Sequence, residues 1–139
     1  MPARDLYHDV VVRALQADGW TITADPLVLS YGGRDLFVDL GAERELLAAE
    51  RAGQKIGVEV KSFISRSAVL DLELAVGQYT VYREVLAANE PERTLYLAVP
   101  GRVFEGIFSE RLGRLLLEKQ RLLLLVFDPE KERIVQWTS

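Results

Sequence analysis

Two hydrophobic periods alternate along the chain of 139 residues. In residues 4–18, Leu6/Tyr7, Val10/Val11 and Ala14/Leu15 recur at helical spacing, and Gly19 is a natural stop. The same period runs through residues 68–89 as Leu72, Ala75/Val76, Tyr79 and Leu86, with Pro91 beyond the end. Ser109 offers a cap for a third helix to about residue 118, with Leu112, Leu115 and Leu116 turned inward. Elsewhere the chain reads as strands. Residues 20–23 form a short strand, and 27–31 and 35–40 flank a Gly32-Gly33-Arg34 hairpin turn. In residues 56–63, Ile56, Val58 and Val60 face one way, and Gly57, Glu59 and Lys61 the other. Residues 94–99, closed by Pro100-Gly101, and 122–127 read as buried strands, and D-P-E-K-E-R turns the chain into a last strand at 134–137. Residues 43–51 have helical composition but run into an A-G-Q-K turn. They read as a strand at 46–50, with a short helix as the alternative.

This order predicts one mixed α/β (α+β) domain over residues 1–139, a central sheet with helices over its faces. A chain of this length buries roughly two-thirds of the surface that it exposes when unfolded, so it needs no disulfide or metal as a staple. With no cysteine, thiolate zinc sites, Fe–S clusters and a thiol nucleophile are excluded. His8 is the single histidine, which argues against a His-based zinc site or a Ser-His-Asp triad. On the first helix it reads as a surface or locally hydrogen-bonded residue. Carboxylates, Lys, Arg, Tyr and hydroxyls remain for chemistry.

The net charge is −4, with 8 basic and 10 acidic residues in 1–70 and 9 and 11 in 71–139. There is no basic arm of the kind that drives non-specific nucleic-acid binding. Arg111, Arg114, Lys119 and Arg121 form either a local phosphate-binding stripe or a solvated helix face. The first residues lack the apolar core of a signal peptide. The longest wholly apolar run, 122–127, is far short of the ~20 residues that span a bilayer. These features predict a soluble, cytoplasmic protein with no membrane partner.

Four features can carry chemistry. Asp39 stands near a strand end in F-V-D-L-G-A-E. Glu59 and Lys61 share one face of a strand, ~6.5–7 Å apart along it. Asp35, Glu43, Glu45 and Glu50 add a local excess of carboxylates. Gln78 and Tyr82 stand at i and i+4 on one helix face. Two carboxylates converging from adjacent strands suit Mg²⁺, which takes oxygen ligands and keeps several waters. A lysine beside them can orient an attacking water and meet the negative charge that develops on phosphate. For Glu59 and Lys61 the plain alternative is a solvated strand face with a cross-strand ion pair.

This D-x(n)-E-x-K arrangement, followed by a helix with Q-x-x-x-Y, resembles the PD-(D/E)xK nuclease superfamily in its RecB-like branch. Over nearly its whole length the chain also resembles the XisH family, the proteins named as controlling factors for excision of the fdxN element in cyanobacteria. The words that carry this likeness are D-L-Y-H-D, D-G-W-T-I-T-A-D-P-L, V-D-L-G-A-E, K-I-G-V-E-V-K-S-F, V-G-Q-Y-T-V-Y-R-E-V-L, L-Y-L-A-V-P and L-L-V-F-D-P followed by I-V-Q-W. The resemblance implies a restriction-endonuclease-like sheet and a Mg²⁺ (or Mn²⁺) cofactor. Asp39 and Glu59 would be the metal carboxylates, with Glu43 or Glu45 as alternative ligands, and Lys61 the catalytic lysine. Gln78 and Tyr82 would match the helix motif. Asp9, with Asp5 as second choice, would be the acidic residue that approaches from the first helix. Two departures stand out: Val38 replaces the proline that usually precedes the aspartate, and Asp39 lies 20 residues before Glu59. The partners implied are DNA and a XisI-type protein, with a homodimer as a further assembly. The functions implied are a DNA endonuclease or nuclease-like subunit in DNA rearrangement or, alternatively, a nuclease-fold regulator that binds DNA or protein without cutting.

Overall fold

In the computed structural model, which describes residues 5–44 and 53–138, the two periods resolve into a six-stranded sheet with helices on both faces. Helix α1 (His8–Ala17) leads into β1 (Thr21–Ala24), and β2 (Leu27–Tyr31) and β3 (Arg34–Val38) form a separate two-stranded sheet. Strands β4 (Leu40–Arg44) and β5 (Gln54–Val60) return to the main sheet, and α2 (Ala68–Asn89) crosses to β6 (Arg93–Pro100). Helix α3 (Gly101–Glu105), a 3-10 turn (Ile107–Ser109) and α4 (Arg111–Lys119) then precede β7 (Leu124–Asp128) and β8 (Arg133–Trp137). The order across the sheet is β1-β4-β5-β6-β7-β8, parallel at β5–β6 and β6–β7 and antiparallel elsewhere. Each parallel pair requires a long crossover, which α2 and the α3–α4 segment supply. This is the mixed α/β class that the element order predicts. Among the described residues no helix is long and apolar enough to cross a membrane.

Alternation along the strands distributes the core. Ile56, Val58 and Val60 of β5, with Leu40, Ala42, Ala98, Leu125 and Phe127, pack against Val11 and Leu15 of α1. Leu95, Leu97 and Val99, with Leu124 and Val126, pack on the other face against Leu72, Ala75, Tyr79 and Leu86 of α2. The hairpin side chains Leu27, Leu29 and Val38 cover the same face. Gly57 lies under this layer, where a Cβ would already touch Leu27, Leu95 and Leu86 at 3.5–3.6 Å. The α2 side is therefore the side of Gly57 and Glu59, as the alternation predicts. Helix α2 starts where Ser67 Oγ accepts from the Leu70 amide at 3.1 Å.

Several boundaries differ from the sequence reading. The first helix begins at His8 because Asp5 makes a turn before it, its carboxylate accepting from Tyr7 N–H and its carbonyl from His8 N–H. The segment expected as one strand over 35–40 is broken at Asp39, where the chain passes from the hairpin sheet to the main sheet. Strand β5 ends at Val60 rather than at residue 63, since Phe63 takes a left-handed backbone (φ 55°). Pro100-Gly101, which the sequence marks only as a strand end, opens directly into helix α3. Ser109 does not cap α4: Glu110 holds the N-cap position, and Ser109 Oγ turns back within 2.6 Å of the Glu105 carbonyl. Leu112 and Leu115 face outward, while Leu116 packs on the core. The strand expected at 46–50, with its helical alternative, lies outside the described residues.

Gly113 sets the face that α4 presents. A Cβ there would lie 2.0 Å from the Ile107 carbonyl oxygen and 2.7 Å from Phe108 Cα. The backbones touch, and no side chain can rotate away to make room. Gly113→Ala is expected to destabilise the protein by about 3 kcal/mol or more, as overpacking against backbone does, and urea denaturation checks it.

Candidate active site

One residue, Asp39, separates β3 from β4, and this places its side chain at the end of β5. Strand β4 pairs with β5 through Leu40 opposite Val58, so Asp39 meets the next residues of β5, Glu59 and Val60. Asp39 Oδ2 accepts from the Val60 amide at 2.8 Å, and Glu59 Oε1 accepts from the Asp39 amide at 3.2 Å. Lys61 Nζ stands 3.4 Å from Glu59 Oε2. Glu59 is only 4% exposed, whereas Asp39 and Lys61 are half-buried. The three residues read as a constellation from the sequence are thus brought together.

The strand end beyond Lys61 is held from both sides. Lys61 N–H donates to the Ala98 carbonyl at 2.9 Å, extending the β5–β6 pairing by one residue. Asp5 Oδ2 accepts from both the amide (2.9 Å) and the hydroxyl (3.1 Å) of Ser62. From α3, the Arg102 guanidinium donates to the carbonyls of Ser62 and Phe63. The Phe63 ring packs on Phe108, with centroids 5.8 Å apart. A left-handed backbone at a non-glycine residue costs roughly 1–2 kcal/mol, and these contacts hold Phe63 in it. Above Lys61 and Ser62 a cleft of about 470 Å³ opens between the N-terminal turn, this loop and α2, with Leu6, Ile64 and Leu74 on its walls.

Burial dominates the electrostatics. It pushes the Glu59 carboxyl up, the negative charge of Asp39 adds to the effect, and Lys61 with the Asp39 amide opposes them. The result is a carboxyl raised to about 7. Burial also raises Asp39, against the Val60 amide and the charges of His8 and Lys61, while Asp5 pushes it further up. On α2, Tyr82 is pushed up to about 12, first by burial and then by the charges of Glu59 and Asp39. Its phenol therefore stays protonated near this pair. Two crowded carboxyls with raised affinity for a proton have the same reason to take up a cation. Their hard oxygen donors fit Mg²⁺ or Mn²⁺.

Other predicted residues fall elsewhere. Asp9 is exposed on α1, where its charge acts on Arg13. The acid of the N-terminal segment that reaches the site loop is Asp5. Glu43 lies toward the far end of β4, 3.8 Å from Arg93. Asp35 accepts from Ser30 Oγ at 2.6 Å in the hairpin. Glu45 and Glu50 lie outside the described residues. Gln78 sits one turn before Tyr82, and its buried Oε1 has no hydrogen-bond partner among the described residues. His8 is buried, not a surface residue. Its Nε2 lies 2.8 Å from Asp25 Oδ1, its Nδ1 has no hydrogen-bond partner among the described residues, and its charge reaches Asp39. The parts played by Ser62 and Arg102 carried no sequence signal, since both depend on contacts between distant segments.

A profile of the family described as XisH protein matches residues 1–135. A solved XisH family protein from Nostoc punctiforme PCC 73102 superposes with a TM-score of 0.88 at 41% identity, over 97% of this chain and 100% of that one. A solved fdxN element excision controlling factor protein from Anabaena variabilis gives 0.87 at 42% identity, over 98% and 100%. No curated protein matches the chain.

The raised carboxyl makes stability depend on pH with a definite sign. Glu59 holds its proton more tightly in the folded protein (about 7) than at its ordinary value of 4.5. The stability this confers is complete below about pH 4.5 and is lost as pH rises through about 7. Without divalent ions, urea denaturation should show this term falling by on the order of a few kcal/mol between about pH 5 and 8. Glu59→Gln should flatten that slope and raise stability at the alkaline end.

Proposed function

This chain belongs to the XisH family, and from that premise and its carboxylate–lysine cluster we propose a Mg²⁺-dependent DNA endonuclease, or nuclease-like subunit, of the PD-(D/E)xK type. The setting proposed is that in the name of the Anabaena relative, control of fdxN element excision. The observation that carries the reading is the meeting of Asp39, Glu59 and Lys61 at one strand end, with both carboxyls raised. In this reading the sheet is restriction-endonuclease-like, and α2 lies over the catalytic face.

Asp39 and Glu59 would hold the Mg²⁺ (or Mn²⁺). When bound, the ion would polarise a phosphoryl oxygen and acidify a water. Lys61 lines the cleft, where it orients the attacking water and meets charge developing on phosphate. Tyr82, kept protonated, offers a hydrogen-bond donor beside the carboxylates. Gln78, whose Oε1 has no partner among the described residues, stands one turn away. Asp5 and Arg102 hold the loop that follows Lys61. With a net charge of −4, the chain has little long-range attraction for DNA. A XisI-type partner would supply part of that contact. A second reading keeps the fold and controls rearrangement through DNA or protein (XisI-type) contacts without cutting, and the weak attraction for DNA favours its protein route.

Nicking of supercoiled and single-stranded DNA, with Mg²⁺ or Mn²⁺ and with or without a XisI-type protein, separates these readings. The wild-type chain should cleave. Lys61→Ala should lose ~10²–10⁴-fold in rate with its fold intact, and Lys61→Arg should not restore it. Calorimetry should show Mg²⁺ binding lost in the Asp39→Ala/Glu59→Ala double variant. No cleavage under any condition would favour the non-cutting reading, and unchanged Mg²⁺ binding would remove these two carboxylates as its ligands.

A further inference from the structure

Helix α2 carries a second apolar pattern that the single chain leaves uncovered. Its inward side, Leu72, Ala75, Tyr79 and Leu86, is buried in the core. Its outward side carries Leu70, Leu74 and Val81, which are 51%, 56% and 50% exposed. Gly77 completes their stripe, and a Cβ built there would meet nothing within 4 Å. The spacing of 70, 74, 77 and 81 is four-three-four, the repeat with which one helix meets another along a continuous seam. A helix with one solvated face normally turns polar and charged residues outward. This one sets an apolar stripe between exposed Glu73 and Glu84 on its outward side.

We propose that the stripe is an interface with a second copy of this chain, the two α2 helices packing antiparallel about a two-fold axis. Size and charge select this occupant. In the register that sets Leu74 against the partner's Gly77, the branched side chain fills the notch that glycine leaves open. Leu70 then lies against the partner's Val81. The next position of the stripe is Glu84, and in this register it falls opposite the partner's Ser67, the cap residue that directly follows Arg66. Glu73, on the flank, falls beside the partner's Thr80, so like charges do not meet. The face supplies its own knob and its own notch, and two-fold symmetry uses each of them twice. Leu74 also lines the cleft above Lys61, so the partner's helix would form a further wall of each cleft.

The full-length chain tests this directly. Sedimentation at micromolar concentration should give twice the 15.7 kDa chain mass. Leu74→Glu should reduce it to one chain with an unchanged circular dichroism spectrum, because the side chain is exposed. The chain has no cysteine, so introduced thiols report on contacts without background. Residues 70 and 81 are eleven apart on one helix, about 16 Å, beyond the roughly 7 Å that a disulfide spans. Leu70→Cys combined with Val81→Cys should therefore oxidise to a covalent dimer, and neither single variant should. Three results would overturn the proposal: a monomer (including one whose stripe instead binds a XisI-type protein), a dimer unmoved by Leu74→Glu, or single variants that cross-link as readily as the pair.

Discussion

Two carboxylates at the end of β4 and β5 each cap a backbone amide: Asp39 accepts from Val60, and Glu59 accepts from Asp39. A buried amide left without a partner costs roughly 1–3 kcal/mol, and carboxylates are strong acceptors for it. The arrangement closes the strand end where the sheet ladder runs out. It also draws two negative groups into a partly buried space. The upward displacement of both carboxyls shows which effect prevails: burial and repulsion outweigh the amides and the nearby Lys61. A site held together by its own backbone hydrogen bonds is thereby left short of positive charge. That shortage is its chemical character.

Everything around the clasp serves to hold it. The chain changes sheets at Asp39, so the hairpin of β2 and β3 can fold back over the α2 side and bury Leu27, Leu29 and Val38 there. Asn89, at the end of α2, donates to the Ser30 carbonyl at 2.9 Å and ties this hairpin to the helix. On the other flank, Asp5 and Arg102 hold the loop after Lys61, and Phe63 takes a left-handed turn under their constraint. Small shifts in any of these elements would move Lys61 relative to Glu59, because the loop has no regular pairing of its own beyond the one bond from Lys61 to Ala98.

Much of this was legible in the residues. Ile56, Val58 and Val60 on one face force Glu59 onto the other, and the helical stripe of residues 68–89 predicts what covers that face. Both follow from local periodicity, which depends only on backbone geometry. Two of the differences are informative. Residues 35–40 are apolar enough for one strand after the Gly32-Gly33 turn, and nothing in them marks the switch of sheets at Asp39, because that switch satisfies the hairpin and the central sheet together. Leu112 and Leu115 look inward by composition, yet the contact of Gly113 with the Ile107 carbonyl sets α4 on a different face.

The sequence by itself determined the family, the mixed α/β class and the placing of Glu59 and Lys61 on the face beneath α2, because period, turn residues and motif words act over a few neighbouring positions. Only the tertiary structure decided that Asp5 meets the site loop while Asp9 stays exposed, that His8 is buried against Asp25, and that Glu59 is raised to about 7. Asp5 and Ser62 are 57 residues apart in the chain. Neither their meeting nor the loss of water around Glu59 has a local cause. Both arise when α1, the hairpin and the α3 turn close on the strand end from different directions.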